Sequence, residues 1–281
     1  MKKSFIKYIA ALLLFGSNGI VASYIALSSY EIVLLRTFIG SLLLIAIYML
    51  SKRKLIFYQN KKHLLALAIS GMAMGTSWMF LYEAYAQIGV GISSLLYYCG
   101  PVIVMALSPV LFKERLSPLK LTGFAAVLAG VFLVNGNILN GSANTFGIFC
   151  GIMSAVMYAF MVIFNKKATA ITGLENSMLQ LLISFLTVAI FVGFKQGFAL
   201  QIPASSVLPV LFLGLGNTGL GCYLYFSSIG DLPVQTVAIC GYLEPLSAVV
   251  FSMVILSETM LPLQILGAVL IVGGAVLAER N

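Results

Sequence analysis

Two acids, one arginine and a crowd of aromatics stand out because each lies inside an apolar run. Glu83 follows Trp78 and Tyr82, and Thr76, Glu83 and Gln87 share one helical face by their i, i+7, i+11 spacing. A carboxylate in such a run faces a cavity or a partner, and an acid that exchanges a proton there suits proton coupling or cation binding. Its structural alternatives are an interfacial acid wetted from one side, or an acid tied to a neighbouring helix. Glu244 precedes Pro245. A proline inside a helix removes a backbone donor, frees a carbonyl and bends the helix. Pro101 holds the matching place earlier in the chain, with Gly100 where the acid would be. Pro101 and Pro245 therefore read as paired kinks or gates, and Glu244 stands evenly between a ligand and a structural hydrogen-bonding group. Arg36 either binds a substrate carboxylate or pairs with Glu31; the pair is the favoured reading.

Around these charges lie Trp78, Tyr82, Tyr85, Tyr97, Tyr98, Tyr158, Tyr223, Tyr225 and Tyr242. Aromatic faces beside a carboxylate suit an organic cation or the amino group of an amino acid. For any single tyrosine, packing or an interfacial belt is the commoner role. Tyr98 and Tyr242 are set apart because each comes one turn before a kink proline. Asn18, Asn217 and Gln235 add polar groups within apolar runs, with helix-to-helix hydrogen bonding as their alternative. The candidate substrate ligands are thus Glu83, Trp78, Tyr82, Tyr98, Tyr242, Glu244, Asn18, Asn217, Tyr158 and Gln235, with Arg36 as a structural or carboxylate-binding residue.

Other chemistries find little support. The single histidine, His63, sits in a basic loop, and Cys99, Cys150, Cys222 and Cys240 lie in apolar segments without a CxxC pair. No metal site, cofactor or catalytic residue is expected. An enzyme would need a nucleophile with its base or clustered metal ligands. No Walker A sequence is present, so ATP would not drive the protein directly.

The elements that must position these groups follow from composition. Of 281 residues, 61% are hydrophobic and 9% charged, and the mean hydropathy is +1.07. Too few charges exist to cover a water-facing surface, whereas a bilayer solvates apolar surface. A spanning helix takes about 20 apolar residues. Ten such spans are expected, at roughly 5–26, 31–50, 63–86, 90–112, 118–135, 146–165, 175–194, 207–228, 233–255 and 260–278. The fold class is all-α integral membrane. Met1-Lys2-Lys3 and the apolar run behind it imitate a signal peptide, but the run is long and ends without an A-x-A-like site, so it reads as the first span.

The formal net charge of +8 sits in short loops between spans, which speaks for membrane topology and against nucleic acid. With the N-terminus in the cytoplasm, fourteen basic residues from Lys2 to Arg280 fall on the cytoplasmic side and only Lys195 on the outer side. Ten spans then put both termini in the cytoplasm.

A gapless shift of 144 residues lays the second half on the first. Glu31 falls on Glu175, Gly75 on Gly219, Tyr98 on Tyr242, Pro101 on Pro245, Glu114 on Glu258, Pro118 on Pro262, Gly123 on Gly267 and Gly130 on Gly274. The expected units are residues 1–140 and 141–281, with five helices each. Five is odd, so the second unit enters the membrane upside down, and inverted repeats mark secondary transporters that bind near the midplane. Glu114 and Glu258 are read as caps on the following helix or gate contacts. Gly71-x-x-x-Gly75 and Gly147-x-x-x-Gly151 are read as close-packing sites.

The segments Tyr82-Glu83-Ala84-Tyr85, Gly100-Pro101 and Lys113-Glu114-Arg115-Leu116 resemble the EamA pattern, as do Leu232-Pro233-Val234, Gly241-Tyr242-Leu243-Glu244-Pro245 and Ser257-Glu258. The resemblance to this family of the drug/metabolite transporter superfamily covers nearly the whole chain, one unit per half. It implies ten helices in two inverted five-helix units around a central cavity. It also implies a carrier of amino acids, amines or similar metabolites across a bacterial inner membrane, with export the more frequent direction. Proton exchange through Glu83 or Glu244, uniport and import of a nutrient remain open. A channel or a receptor without carrier activity is the alternative of another class. The expected partners are a small-molecule substrate, the lipid bilayer and protons, in a monomer or homodimer.

Overall fold

The computed structural model describes residues 2–52, 54–100, 103–104, 107, 118–134, 144–198, 200–226, 228 and 243–279. Among these residues the chain is all-helical and makes ten helical passes. The first is α1 (Lys2–Gly16), broken at Ser17 and continued by α2 (Asn18–Ser23). Then come α3 (Ser29–Leu50), α4 (Lys61–Ile88), α5 (Val90–Tyr97) and α6 (Pro118–Val134). The second half runs through α7 (Thr145–Lys167) and α8 (Gly173–Lys195). Its third pass joins α9 (Ala204–Leu211), a π-helical segment (Phe212–Leu220) and α10 (Gly221–Phe226), and α11 (Leu243–Ile255) and α12 (Pro262–Glu279) complete the chain. Six passes are long and apolar enough to cross a membrane: 2–23, 29–50, 61–88, 145–167, 173–195 and 204–225.

Helix is the only open-chain solution here, because hydrocarbon offers no partners for backbone N–H and C=O groups. Polar residues mark where helices start. Ser28 and Glu31 form a reciprocal capping box ahead of α3. The side chains of Asn60 and Asn144 accept from the backbone of His63 and Gly147 to open α4 and α7. Gly89, at φ +81°, closes α4 in a backbone conformation that L side chains rarely adopt. Large apolar side chains such as Met49, Leu50, Phe194, Leu208 and Val269 point outward, where lipid rather than water receives them.

The repeat is visible as geometry. Helices α3 and α8 begin at Ser29 and Gly173, and α6 and α12 at Pro118 and Pro262. A Cβ built on Gly130 would stand 2.6 Å from the carbonyl oxygen of Gly267, and one on Gly274 would stand 2.7 Å from that of Gly123. The 144-residue shift exchanges these two contacts. Reciprocal contacts of this kind are what a two-fold axis between α6 and α12 produces, so the halves are inverted copies packed through small residues. The other glycine pairs also serve close packing. Gly71 and Gly75 lie against Gln180 and Ser184 of α8, and Gly147 and Gly151 against α4 and α5.

Helix α4 runs through the middle of the molecule, packed on α7 and α8 of the opposite repeat; α3 packs on α8 and the π segment, and α1 on α10 and α11. The groups that face the centre therefore come from both halves.

Candidate substrate-binding site

Arg36 is the largest fully buried side chain of the described residues, at 2% exposure. Helix α3 carries it to the interface with the π segment. There its Nε donates to Thr218 Oγ1 at 3.0 Å, its Nη1 donates to the Tyr82 hydroxyl, and its Nη2 reaches Asn18 Oδ1 at 3.4 Å. The guanidinium carbon lies 4.3 Å from the Trp78 ring centre and 5.0 Å from that of Tyr82. All of these partners are neutral. A guanidinium held by neutral acceptors and aromatic faces keeps its full charge available to an incoming anion.

Arg36 opens onto a cavity of about 20 Å³, enough for about one water. Asn18, Trp78, Tyr85, Ser94, Tyr97, Tyr98 and Glu244 share its lining. Glu244 is placed by close packing of α1 on α11: a Cβ on Gly16 would stand 2.8 Å from the Glu244 carbonyl oxygen. Its carboxylate faces the Tyr98 phenol. Ser94 is 3% exposed; among the described residues its hydroxyl has no hydrogen-bond partner within ordinary distance, and it faces the Tyr85 phenol. One small chamber thus gathers a buried cation, an acid, a serine hydroxyl and five aromatic rings, contributed by both repeats.

Two backbone irregularities make this possible. The first pass breaks at Ser17, whose hydroxyl turns back to Leu14 O at 2.7 Å, and Asn18 follows directly. The eighth-pass helix carries Pro209 and then widens into the π segment, where Thr218 Oγ1 bonds Leu213 O, five residues back, at 2.8 Å. π-helical turns are uncommon and recur at functional sites. Pro209 and the glycines at 214, 216, 219 and 221 are the sequence signal for this widening.

The expected ligands divide. Trp78, Tyr82, Tyr98, Glu244, Asn18 and Arg36 converge on the chamber or hold its walls. Tyr158 stands behind them, its ring 5.2 Å from Tyr97. Asn217 is fully buried but donates to Leu14 O (2.7 Å) and Ser17 Oγ (2.9 Å), which makes it a helix-to-helix tie. Glu83 does not line the chamber. It accepts from Ser29 Oγ at 2.8 Å and Gln87 Nε2 at 2.9 Å, and Gln87 in turn accepts from Asn144 at 2.7 Å. Thr76 bonds back to Met72 O within its own helix. Tyr242, Gln235, Pro101 and Glu114 lie outside the described residues, whereas Pro245 sits in the first turn of α11.

The favoured Arg36–Glu31 pair is corrected. Glu31 spends its carboxylate on Ser28 in the capping box, while Arg36, more than a turn further along, points to the opposite repeat. Glu258 does not cap the helix that follows it, where Gln264 accepts from Leu261 N. It reaches across to the first repeat and accepts from Val90 N (2.8 Å) and Gly91 N (2.9 Å) at the start of α5. Thr218 and Ser94 were missed altogether. Ser93-Ser94 inside an apolar run was the readable hint for the latter.

The EamA-like transporter family model matches residues 3–136 and 145–279. The uncharacterized transporter YxxF of Bacillus subtilis (strain 168) is 25% identical over 97% of this chain and 88% of its own length. The uncharacterized inner membrane transporter YicL of Salmonella typhimurium is 24% identical over 100% of this chain and 96% of its own. A probable amino-acid metabolite efflux pump of the same organism is 28% identical over 66% of this chain and 65% of its own. One solved crystal structure superposes with a TM-score of 0.69 over 99% of this chain and 98% of that one, at 18% identity, a likeness of fold.

Proposed function

The chain belongs to the EamA-like transporter family, and from that premise we propose that it is a secondary carrier for amino acids or closely related zwitterions. The observation that carries this reading is Arg36 and Glu244 lining one chamber. Arg36 offers its fork to a substrate carboxylate, and Glu244 with the tyrosines receives the ammonium group. An organic cation would meet the same acid and rings, but it would also meet the buried guanidinium, whose like charge opposes it. The relative named as an amino-acid metabolite efflux pump is in keeping with this class.

The inverted repeats suit alternating access around the chamber, with Glu244 exchanging a proton for the ammonium group during the cycle. The direction is export from the cytoplasm across a bacterial inner membrane, and the two units are residues 1–140 and 141–281. The charge bias sets both termini in the cytoplasm. A membrane-impermeant maleimide then labels Lys195→Cys in intact spheroplasts and leaves Lys61→Cys untouched; the reverse pattern rejects this orientation.

The functional test is counterflow in proteoliposomes loaded with a mixture of amino acids. Saturable exchange that Arg36→Gln abolishes is expected. Flux that never saturates, or no exchange for any zwitterion, overturns the carrier reading and favours a channel or a receptor.

A further inference from the structure

Beside the chamber lies a second, larger cavity of about 220 Å³. Its walls are largely apolar and include Ala22, Ile25, Leu27, Ile32 and Val90. The hydroxyls of Ser23, Ser29 and Tyr82 are already committed. Ser23 donates to Ile20 O at 2.8 Å, Ser29 donates to Glu83 at 2.8 Å, and the Tyr82 hydroxyl is taken by Arg36. Tyr85 lines both cavities, its ring 5.1 Å from that of Tyr82. Tyr82 is pinned by Arg36, so Tyr85 is the wall that can move without breaking the cation's hydrogen bonds.

We propose that this apolar cavity is a side-chain subsite of the same binding site, with Tyr85 as the partition, so that the carrier prefers amino acids with a branched or ring-bearing hydrocarbon side chain. The inference rests on the amino-acid reading above. The chamber alone is too small for a whole amino acid, and turning Tyr85 aside joins the two spaces. The head group then lies between Arg36 and Glu244 while the side chain enters the larger cavity. An apolar cavity of about 150 Å³ already accepts benzene, so 220 Å³ holds a leucine or phenylalanine side chain. The Tyr85 phenol faces Ser94 in the chamber, so the cavity's walls offer little to a charged side chain, which would lose its water without replacement.

Trp78, the chain's single tryptophan, stacks on Arg36 and reports on the chamber by its fluorescence. The full-length protein in detergent is titrated with L-leucine, glycine and L-aspartate. Burial of a hydrocarbon side chain predicts L-leucine binding roughly ten- to hundredfold tighter than glycine, with L-aspartate weakest. Ala22→Phe fills the cavity and removes the leucine advantage. Ile32→Ala, a second variant that enlarges the cavity, shifts preference from L-leucine to L-phenylalanine. Equal affinity for glycine and L-leucine overturns the subsite and leaves the amino-acid reading standing. Binding of none of the three overturns the amino-acid reading and the subsite with it.

Discussion

Arg36 Nε donates to Thr218 Oγ1 at 3.0 Å, and this bond joins the two repeats. Its mate under the 144-residue shift is Gln180 Nε2 to Met74 Sδ at 3.6 Å. The same inter-repeat contact is thus made twice, once by a cation and once by a neutral amide whose other side is bonded to Asn165 at 2.5 Å. The frame is symmetric, but positions 36 and 180 differ, so only the first repeat places a positive charge at this contact. On the amino-acid reading proposed above, that asymmetry gives the chamber a direction along which a zwitterion is oriented.

Arg36 is accordingly expected to matter for binding more than for folding. Truncating one member of a buried charged pair costs about 2–5 kcal/mol. Arg36→Gln should weaken binding of a carboxylate-bearing substrate by about thirtyfold or more. Arg36→Lys keeps the charge and loses the fork, so a loss nearer tenfold is expected. Thermal stability of Arg36→Gln should stay within about 1 kcal/mol of the parent, since removing a buried charge offsets the lost hydrogen bonds. A variant that melts several degrees lower but binds with parental affinity while folded would show that the arginine is structural.

Glu83 was the most conspicuous acid in the sequence and is not at the site, and the reason is instructive. Ten passes and the repeat were legible because lipid demands long apolar helices and because close helix contacts preserve glycines such as Gly130 and Gly274 in register. A carboxylate in an apolar run was equally visible, but which neighbour it meets depends on how α4 rotates against α3 and α7. That rotation delivers Glu83 to Ser29 and Gln87. The placing of Arg36 and Glu244 in one chamber was hidden because the two lie in different repeats, and the widening that presents Thr218 depends on a π turn no hydropathy pattern reveals. Glu83→Gln is therefore predicted to keep counterflow within about twofold of the parent while lowering stability by about 1 kcal/mol. A collapse of transport with unchanged stability would return Glu83 to the mechanism.

Glu244 should be needed for the amino group and not for the carboxylate. Glu244→Gln removes the counter-charge for an ammonium ion, and a drop of about tenfold or more in L-leucine affinity is expected. 4-Methylpentanoate, which is leucine without its amino group, should bind the variant at least as well as the parent, because the repelling carboxylate is gone. Flux driven by a pH gradient should disappear in the same variant, while counterflow at uniform pH persists. Equal losses for both ligands would place Glu244 in the architecture and remove its recognition role.

Glu258 and the start of α5 at Gly89 form the second testable contact between repeats. Both Glu258 oxygens accept backbone N–H groups at the start of α5, where the helix dipole adds to the attraction. A Cβ on Gly89 would stand 2.8 Å from Glu258 Oε1, and φ of +81° strains any L side chain there. Gly89→Ala should cost about 1–3 kcal/mol from strain and from pushing the carboxylate away. Glu258→Ala should cost about 1.5–3 kcal/mol through two charge-assisted bonds. Once the carboxylate is absent, the added methyl group no longer displaces it, so the double variant should lose less than the two single losses combined, by about 0.5 kcal/mol or more. Thermal unfolding of the four proteins in one detergent measures the coupling. Strict additivity would mean that the two positions act separately and that Gly89 is required by its backbone conformation alone.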